Sequence, residues 1–326
     1  VLSRCLIRRA FRGMGYFDKE AIIAFWSSIF TFLLISGLVY SGKGPVAVAF
    51  GFVVSKTFFL GLSWFIYKRL LKTAKFIYPA MADVFKMLYK GFPFAAHVAL
   101  GTLYFSVDTI IIQQLLGAES VGIYQSGLRV MVGGLILTDV LSNVYLSRMA
   151  QESLDRAALI NLSTRMTRQC LVIGVTGFVC MIGFSEPIVN LLYGANGFSM
   201  VIPLFPLFGV VLLLRYLGAS YGILLTVDNR QAVRMVAVGL SVIVSITFNL
   251  LLIPRFNLYG ALYASIITHI FLTLIYIFFS WRQVKNWLLE RRSWILIAVA
   301  FFAGIFQIVI SSGNQILNYT IMISFL

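Results

Sequence analysis

The chain has little charge. Charged residues make up 11% of its 326 positions, and Asp and Glu together number 11. Soluble domains carry about 25% charge and roughly 45–50% apolar residues. Here 60% of residues are hydrophobic and the mean hydropathy is +0.94. A water-soluble enzyme, a disordered chain and a secreted scaffold are all excluded, because no soluble fold of this size hides that much apolar surface. The three cysteines, Cys5, Cys170 and Cys180, form no CxxC and no His/Cys cluster. Neither a disulfide framework nor a metal site is expected. No signal peptide opens the chain. HExxH, GxSxG, P-loop, GxGxxG and DxD patterns are missing in any usable context. Catalysis, cofactor binding and nucleic-acid recognition thus have no sequence support. The basic residues are spread over loops that face a membrane surface.

Long apolar runs dominate what is present. Nine can span a bilayer: Ala21–Ser41, Pro45–Tyr67, Gly91–Leu116, Val121–Ser147, Gln169–Tyr193, Met200–Thr226, Gln231–Pro254, Leu258–Ser280 and Ser293–Ser312. A tenth run begins at Ile316 and reaches only Leu326, too short for about 30 Å of hydrocarbon. The predicted fold class is all-α, a polytopic transmembrane helix bundle.

The 26 Lys and Arg residues test this segmentation. With the N-terminal stub Val1–Glu20 placed in the cytoplasm, 21 fall on the inside and two, Lys43 and Arg255, on the outside. The other three, Lys56, Arg129 and Arg215, lie within spans. So sharp an alternation fits the positive-inside rule and accounts for most of the net charge of +15. Outside loops are short, which forces antiparallel helical hairpins. The longest connection, residues 68–90, places Leu70, Leu71, Ala74, Ile77 and Tyr78 on one face. It reads as an amphipathic helix on the inner leaflet and as the boundary between two bundles. Pro203 and Pro206 predict a kink near the outer end of the sixth span. Gly218/Gly222 and Gly260/Ala264 are small-xxx-small pairs suited to close helix packing.

Seven ionisable residues inside spans are candidates for a function: Lys56, His97, Asp108, Arg129, Asp139, Arg215 and His269. Each must face protein or a wet cavity, since a charge in hydrocarbon costs at least about 2.5–3.5 kcal/mol. Asp108 and Arg129 each lie eight residues from the outer loop, roughly 12 Å deep. They are expected to meet, either as an ion pair fixing the hairpin or as a polar cavity wall. His97 and Asp139 form a second, looser candidate pair; the alternative for His97 is a satisfied neutral imidazole. His97 and Asp108 share a helix face with Gly101 and Tyr104. Lys56, Arg215 and His269 lie near the midplane, with no acid counted at their depth. Either they line an electropositive, water-filled cavity for a phosphate or carboxylate, or polar groups and further helices solvate them.

Two stretches carry a family resemblance. One holds Gly91-Phe92-Pro93, Val107-Asp108-Thr109-Ile110-Ile111-Ile112, Leu116-Gly117 and the run from Val121-Gly122-Ile123-Tyr124 to Arg129. The other holds Glu186-Pro187 through Tyr193-Gly194, Asn249 through Pro254, and Tyr259-Gly260-Ala261 through Ala264-Ser265. In order and spacing these resemble the polysaccharide transporter (Wzx-type flippase) branch of the multidrug/oligosaccharidyl-lipid/polysaccharide superfamily. The resemblance implies a MATE-like architecture of two six-helix lobes around a central cavity. It also implies alternating-access flipping of a polyprenyl-pyrophosphate-linked oligosaccharide across the cytoplasmic (inner) membrane. On that template 1–67 resembles helices five and six of an incomplete N-terminal lobe, and 68–90 a cytoplasmic linker. Residues 91–280 resemble the six-helix C-terminal lobe, and 281–326 an extra hairpin. The first four helices are expected to be absent. Arg215, Lys56, Arg129 and His269 would attract the pyrophosphate or acidic sugars. Asp108, His97 and Asp139 would couple transport to H⁺ or Na⁺. The implied partners are the lipid bilayer, the lipid-linked glycan and polysaccharide assembly proteins, with no nucleic acid. A multidrug exporter is the nearest alternative, although acidic cavity residues are expected there. A membrane polymerase or glycosyltransferase is a second, set back by the short outside loops. A non-transporting assembly subunit is a third.

Overall fold

The computed structural model describes residues 17–70, 81–152, 155–194 and 198–288. Every regular element among them is helical. The chain divides into two compact units, Val1–Met81 and Ala82–Leu326.

In the first unit α1 (Phe17–Tyr40) and α2 (Pro45–Leu70) form a hairpin. Its turn runs through Gly42, whose φ of +66° suits a residue without Cβ. Lipid tails are as apolar as the helices, so polar contacts and close packing must hold the pair. Thr31 Oγ1 and Ser55 Oγ lie 2.5 Å apart in its buried seam. Phe30 stacks on Phe58 beside them. Phe25, Trp26, Phe32, Phe50 and Trp64 point outward and are exposed, as expected where the solvent is hydrocarbon.

The second unit begins with α3 (Met81–Leu116), which runs unbroken through Pro93. Residues 81–90, expected in the connection, therefore extend this helix. The amphipathic pattern at 71–80 and the runs beyond residue 288 lie outside the described residues. The fourth span is not one helix but two, α4 (Ala118–Gly134) and α5 (Ile136–Gln151), broken at Leu135. Two glycines precede the break, and the Tyr216 hydroxyl donates to the Gly134 carbonyl at 2.6 Å. That bond satisfies a carbonyl the ladder gives up. The next helix, α6 (Arg156–Gly183), starts 13 residues before the expected span. Asp155 caps it, accepting from the Ala157 and Ala158 amides. After α6 comes the short α7 (Ser185–Tyr193). Pro203 then lies in a 3-10 turn, Ser199–Leu204, and Pro206 in the first turn of α8 (Phe205–Val227). The prolines thus open this helix rather than kink its interior, because an N-terminal turn needs no donor from them.

The last described element, α9 (Gln231–Leu288), is two arms meeting at Asn257, whose φ is 51°. The arms fold back on each other: Arg230 Nη1 donates to the carbonyl of Phe279, 49 residues away, at 3.0 Å. A Cβ on Gly260 would lie 2.3 Å from the Leu252 carbonyl oxygen, so the turn requires glycine there. Helix α8 forms the centre of this unit, packed between α6 and the α9 hairpin. Its Phe205, Phe208, Tyr216 and Tyr221 are fully buried. Gly218 and Gly222 meet Thr273 and Tyr276 of the second arm, the close packing expected of that pair. Seven helical stretches among the described residues are long and apolar enough to cross a membrane, the two-armed α9 counting as one. The protein is an all-α, multi-pass membrane protein.

Candidate functional site

The site is built around Asp108. The apolar run Val107–Ile112 fixes α3, and Asp108 is the one acid on its buried face. It is 8% exposed. One carboxylate oxygen, Oδ2, accepts from the Tyr124 hydroxyl at 2.9 Å and from Ser265 Oγ at 2.7 Å. The other, Oδ1, accepts from Asn249 Nδ2 at 2.8 Å and Ser245 Oγ at 3.2 Å. These donors come from α4 and both arms of α9, so one carboxylate ties together three chain segments remote in sequence. Ser245 and Asn249 are one helical turn apart and share a face.

Beside this knot lies a small pocket with about 20 Å³ of free space, room for about one water molecule. Asp108, Arg215 and His269 line it, with Tyr104 and Tyr124. Arg215 comes from the middle of α8 and His269 from the second arm of α9. The His269 ring meets the Tyr104 ring edge to face at 5.1 Å. Arg215 lies within electrostatic reach of Tyr104, Asp139 and His269. Phe208, Val211, Met131 and Leu262 complete the walls. The pocket thus brings a cation, an imidazole and phenols together on an apolar base.

Several expectations change. Asp108 does not take Arg129 as a partner: its acceptors are filled by neutral donors, and Arg129 is exposed. Depth was the wrong test by itself. Tyr124 faces Asp108, and Arg129 stands five residues on, about 140° around the helix. His97 and Asp139 do not pair either. His97 interacts with Arg234, while Asp139 is exposed and acts on Arg215. Arg215 and His269 do not form an acid-free cavity, because Asp108 lines the same pocket. Residue counts from a loop ignore helix tilt and side-chain length. Lys56 belongs to the first unit, half-buried on α2, with Nζ 4.9 Å from the centroid of the Phe52 ring.

Sequence reasoning missed the donors to Asp108 and also Arg234. A signal existed for the former: Ser241, Ser245 and Asn249 recur every four residues through an otherwise apolar run. All three are buried, forming a polar stripe along the first arm. Arg234, counted with the cytoplasmic residues although it falls at the start of the seventh span, lies in the first turn of α9 and donates to Thr226 Oγ1.

Comparison with known proteins supplies the family. The polysaccharide biosynthesis protein model matches residues 2–202. Capsular polysaccharide biosynthesis protein CapF of Staphylococcus aureus is 24% identical over 197 residues, covering 59% of this chain and 48% of that protein. Amylovoran biosynthesis protein AmsL of Erwinia amylovora is 25% identical over 297 residues, covering 89% of this chain and 74% of its own. The chain therefore spans about half the length of the first relative. Among solved structures, an outward-facing multidrug resistance MATE family transporter of the MOP superfamily superposes with a TM-score of 0.67 at 14% identity. The match covers 86% of this chain and 66% of that one. The lipid II flippase MurJ, in an inward closed conformation, gives a TM-score of 0.60 at 16% identity, covering 89% and 67%. These likenesses establish the fold, and the sequence match establishes the kinship: the chain belongs to the polysaccharide biosynthesis protein family.

Proposed function

We propose that the protein acts as a flippase, moving a polyprenyl-pyrophosphate-linked oligosaccharide across the cytoplasmic membrane by alternating access during surface polysaccharide synthesis. The observation that carries this reading is the membrane-embedded pocket joining Arg215, His269 and Asp108, in a chain whose family makes polysaccharides. Arg215 takes the substrate's pyrophosphate, a role for which a guanidinium's fixed fork of donors is suited. Arg129, and Lys56 of the first unit, are further contacts for its acidic groups. Asp108 couples transport to H⁺ or Na⁺. Supporting that role, Asn249 Oδ1 is buried beside it with no hydrogen-bond partner among the described residues. The basic stub and basic loops face the cytoplasm, and polysaccharide assembly proteins are the partners. The protein works as a transporter rather than an enzyme.

An acid in the pocket also favours a multidrug exporter for cationic compounds. Asp108 weakens that reading, since four neutral donors already occupy its oxygens. The test is transport in cells making the polysaccharide, with expression held constant. Arg215→Ala and Lys56→Ala should each cause lipid-linked precursor to accumulate on the cytoplasmic leaflet. Full export by both variants sinks the flippase assignment of these residues.

A further inference from the structure

At the end of the α9 hairpin opposite Asn257, buried polar atoms gather without partners. Two contacts set the register there. Arg230 bonds the Phe279 carbonyl, and the Arg234 guanidinium and the Tyr276 ring lie together against Gly222. Gln231 therefore stands level with Ser280, one turn from the Arg234–Tyr276 level. Gln231 is 6% exposed and Ser280 0%. Both amide atoms of Gln231, the Ser280 hydroxyl and Arg234 Nε are buried, with no hydrogen-bond partner among the described residues. From α3, His97 approaches Arg234, and its Nδ1 is buried and unpartnered in the same way.

Buried polar groups in folded proteins are almost always paired. Four residues on two helices breaking that rule around one arginine mark a place built for a polar occupant. The unused atoms are mainly donors: Gln231 Nε2, Ser280 Oγ and Arg234 Nε. Arg230 and Arg234 bring two positive charges, of which Asp228 on the same turn offsets at most one. Helix α9 also begins here, so the positive end of its dipole adds to the field. Arg234 is already held in place, since Nη1 donates to Thr226 Oγ1 on α8. A donor-rich, net positive and mostly enclosed place selects an oxyanion with several acceptor oxygens.

We propose that this end of the hairpin is a phosphate-binding site, occupied by a phosphomonoester lipid headgroup or by free phosphate. It shares no residue with the Asp108 pocket, and the proposal does not depend on the flippase reading. The test uses the full chain in a phosphate-free sugar detergent, with thermal unfolding followed after three additions. These are inorganic phosphate, chloride at matched ionic strength, and phosphatidic acid in mixed micelles. Tm should rise with phosphate or phosphatidic acid and not with chloride. A rise with phosphatidic acid alone assigns the headgroup; a rise with phosphate alone assigns the free ion. Arg234→Gln and Gln231→Leu should each weaken the binding about tenfold or more in direct titration. Should Arg234→Gln fail to fold, Gln231→Leu and Ser280→Ala decide, because both remove only unpartnered polar atoms. Gln231→Leu protein with an undiminished ligand response overturns the proposal. So does a chloride response equal to that of phosphate, or no response to any addition.

Discussion

Replacing Asp108 by Ala removes the shared acceptor of four hydrogen bonds contributed by Tyr124, Ser245, Asn249 and Ser265. Side-chain hydrogen bonds in membrane bundles average about 0.6 kcal/mol, with an upper value near 1.7. Four such bonds place the expected loss at about 2.4 kcal/mol, and at most about 7 kcal/mol. The lower figure corresponds to a fall in Tm of about 5–10 °C for a unit of this size. Asp108→Asn should lose less, about 1 kcal/mol. Its amide keeps one acceptor oxygen, and the three hydroxyls can reverse from donating to accepting. Asn249 can also turn its unpartnered Oδ1 toward the new amide. Thermal unfolding in detergent, read by loss of the monodisperse chromatographic peak, measures both variants. The double variant Asp108→Ala/Tyr124→Phe should be less destabilised than the two single losses added together, because both remove the same bond. An Asp108→Ala protein as stable as the parent refutes the reasoning. Strict additivity with Tyr124→Phe refutes it equally, since the carboxylate would then not be what holds these segments.

Three further outcomes follow from the packing. Gly260→Ala should abolish folding, because its Cβ would meet backbone at 2.3 Å; the same change at Gly61, where nothing lies within 4 Å, should be neutral or stabilise by about 0.4–1 kcal/mol. Expression and Tm of the two variants give the comparison. Tyr216→Phe should free the Gly134 carbonyl and lower Tm by a few degrees, with hydrogen exchange rising around Leu135. Ser55→Ala should cost about 0.6 kcal/mol, seen as a lower unfolding midpoint for the first hairpin, whereas Arg129→Gln should leave Tm unchanged.

Apolar run length was a sound guide to where helices cross, since a bilayer demands unbroken apolar sequence in a way water does not. The turn at Asn257 was legible too, from the polar break around Arg255. Asp108 stood out because a lone acid in an apolar run must find donors. Which donors was not legible, for these came from helices whose rotation the sequence leaves free. Arg129 shows the same gap: its depth was countable, its direction was not. The start of α6 escaped because a helix can continue into water on polar residues, where hydropathy gives no signal. The break at Leu135 had a hint in Gly133-Gly134, but the tyrosine that completes it lies 82 residues away.

The early start of α6 has a bearing on Asp139. The chain reverses between Gln151 and Arg156, so α5 and α6 climb from the same corner. Asp139 therefore sits about as far up from that corner as Arg168 does, on the neighbouring helix. The apolar run proper begins only after Arg168, at Gln169. At about 1.5 Å per residue, the first 13 residues of α6 rise roughly 20 Å before the apolar run begins. They form a polar stem beneath that run, with α5 packed against α6. Asp139 is exposed on α5 and lies within electrostatic reach of Arg215.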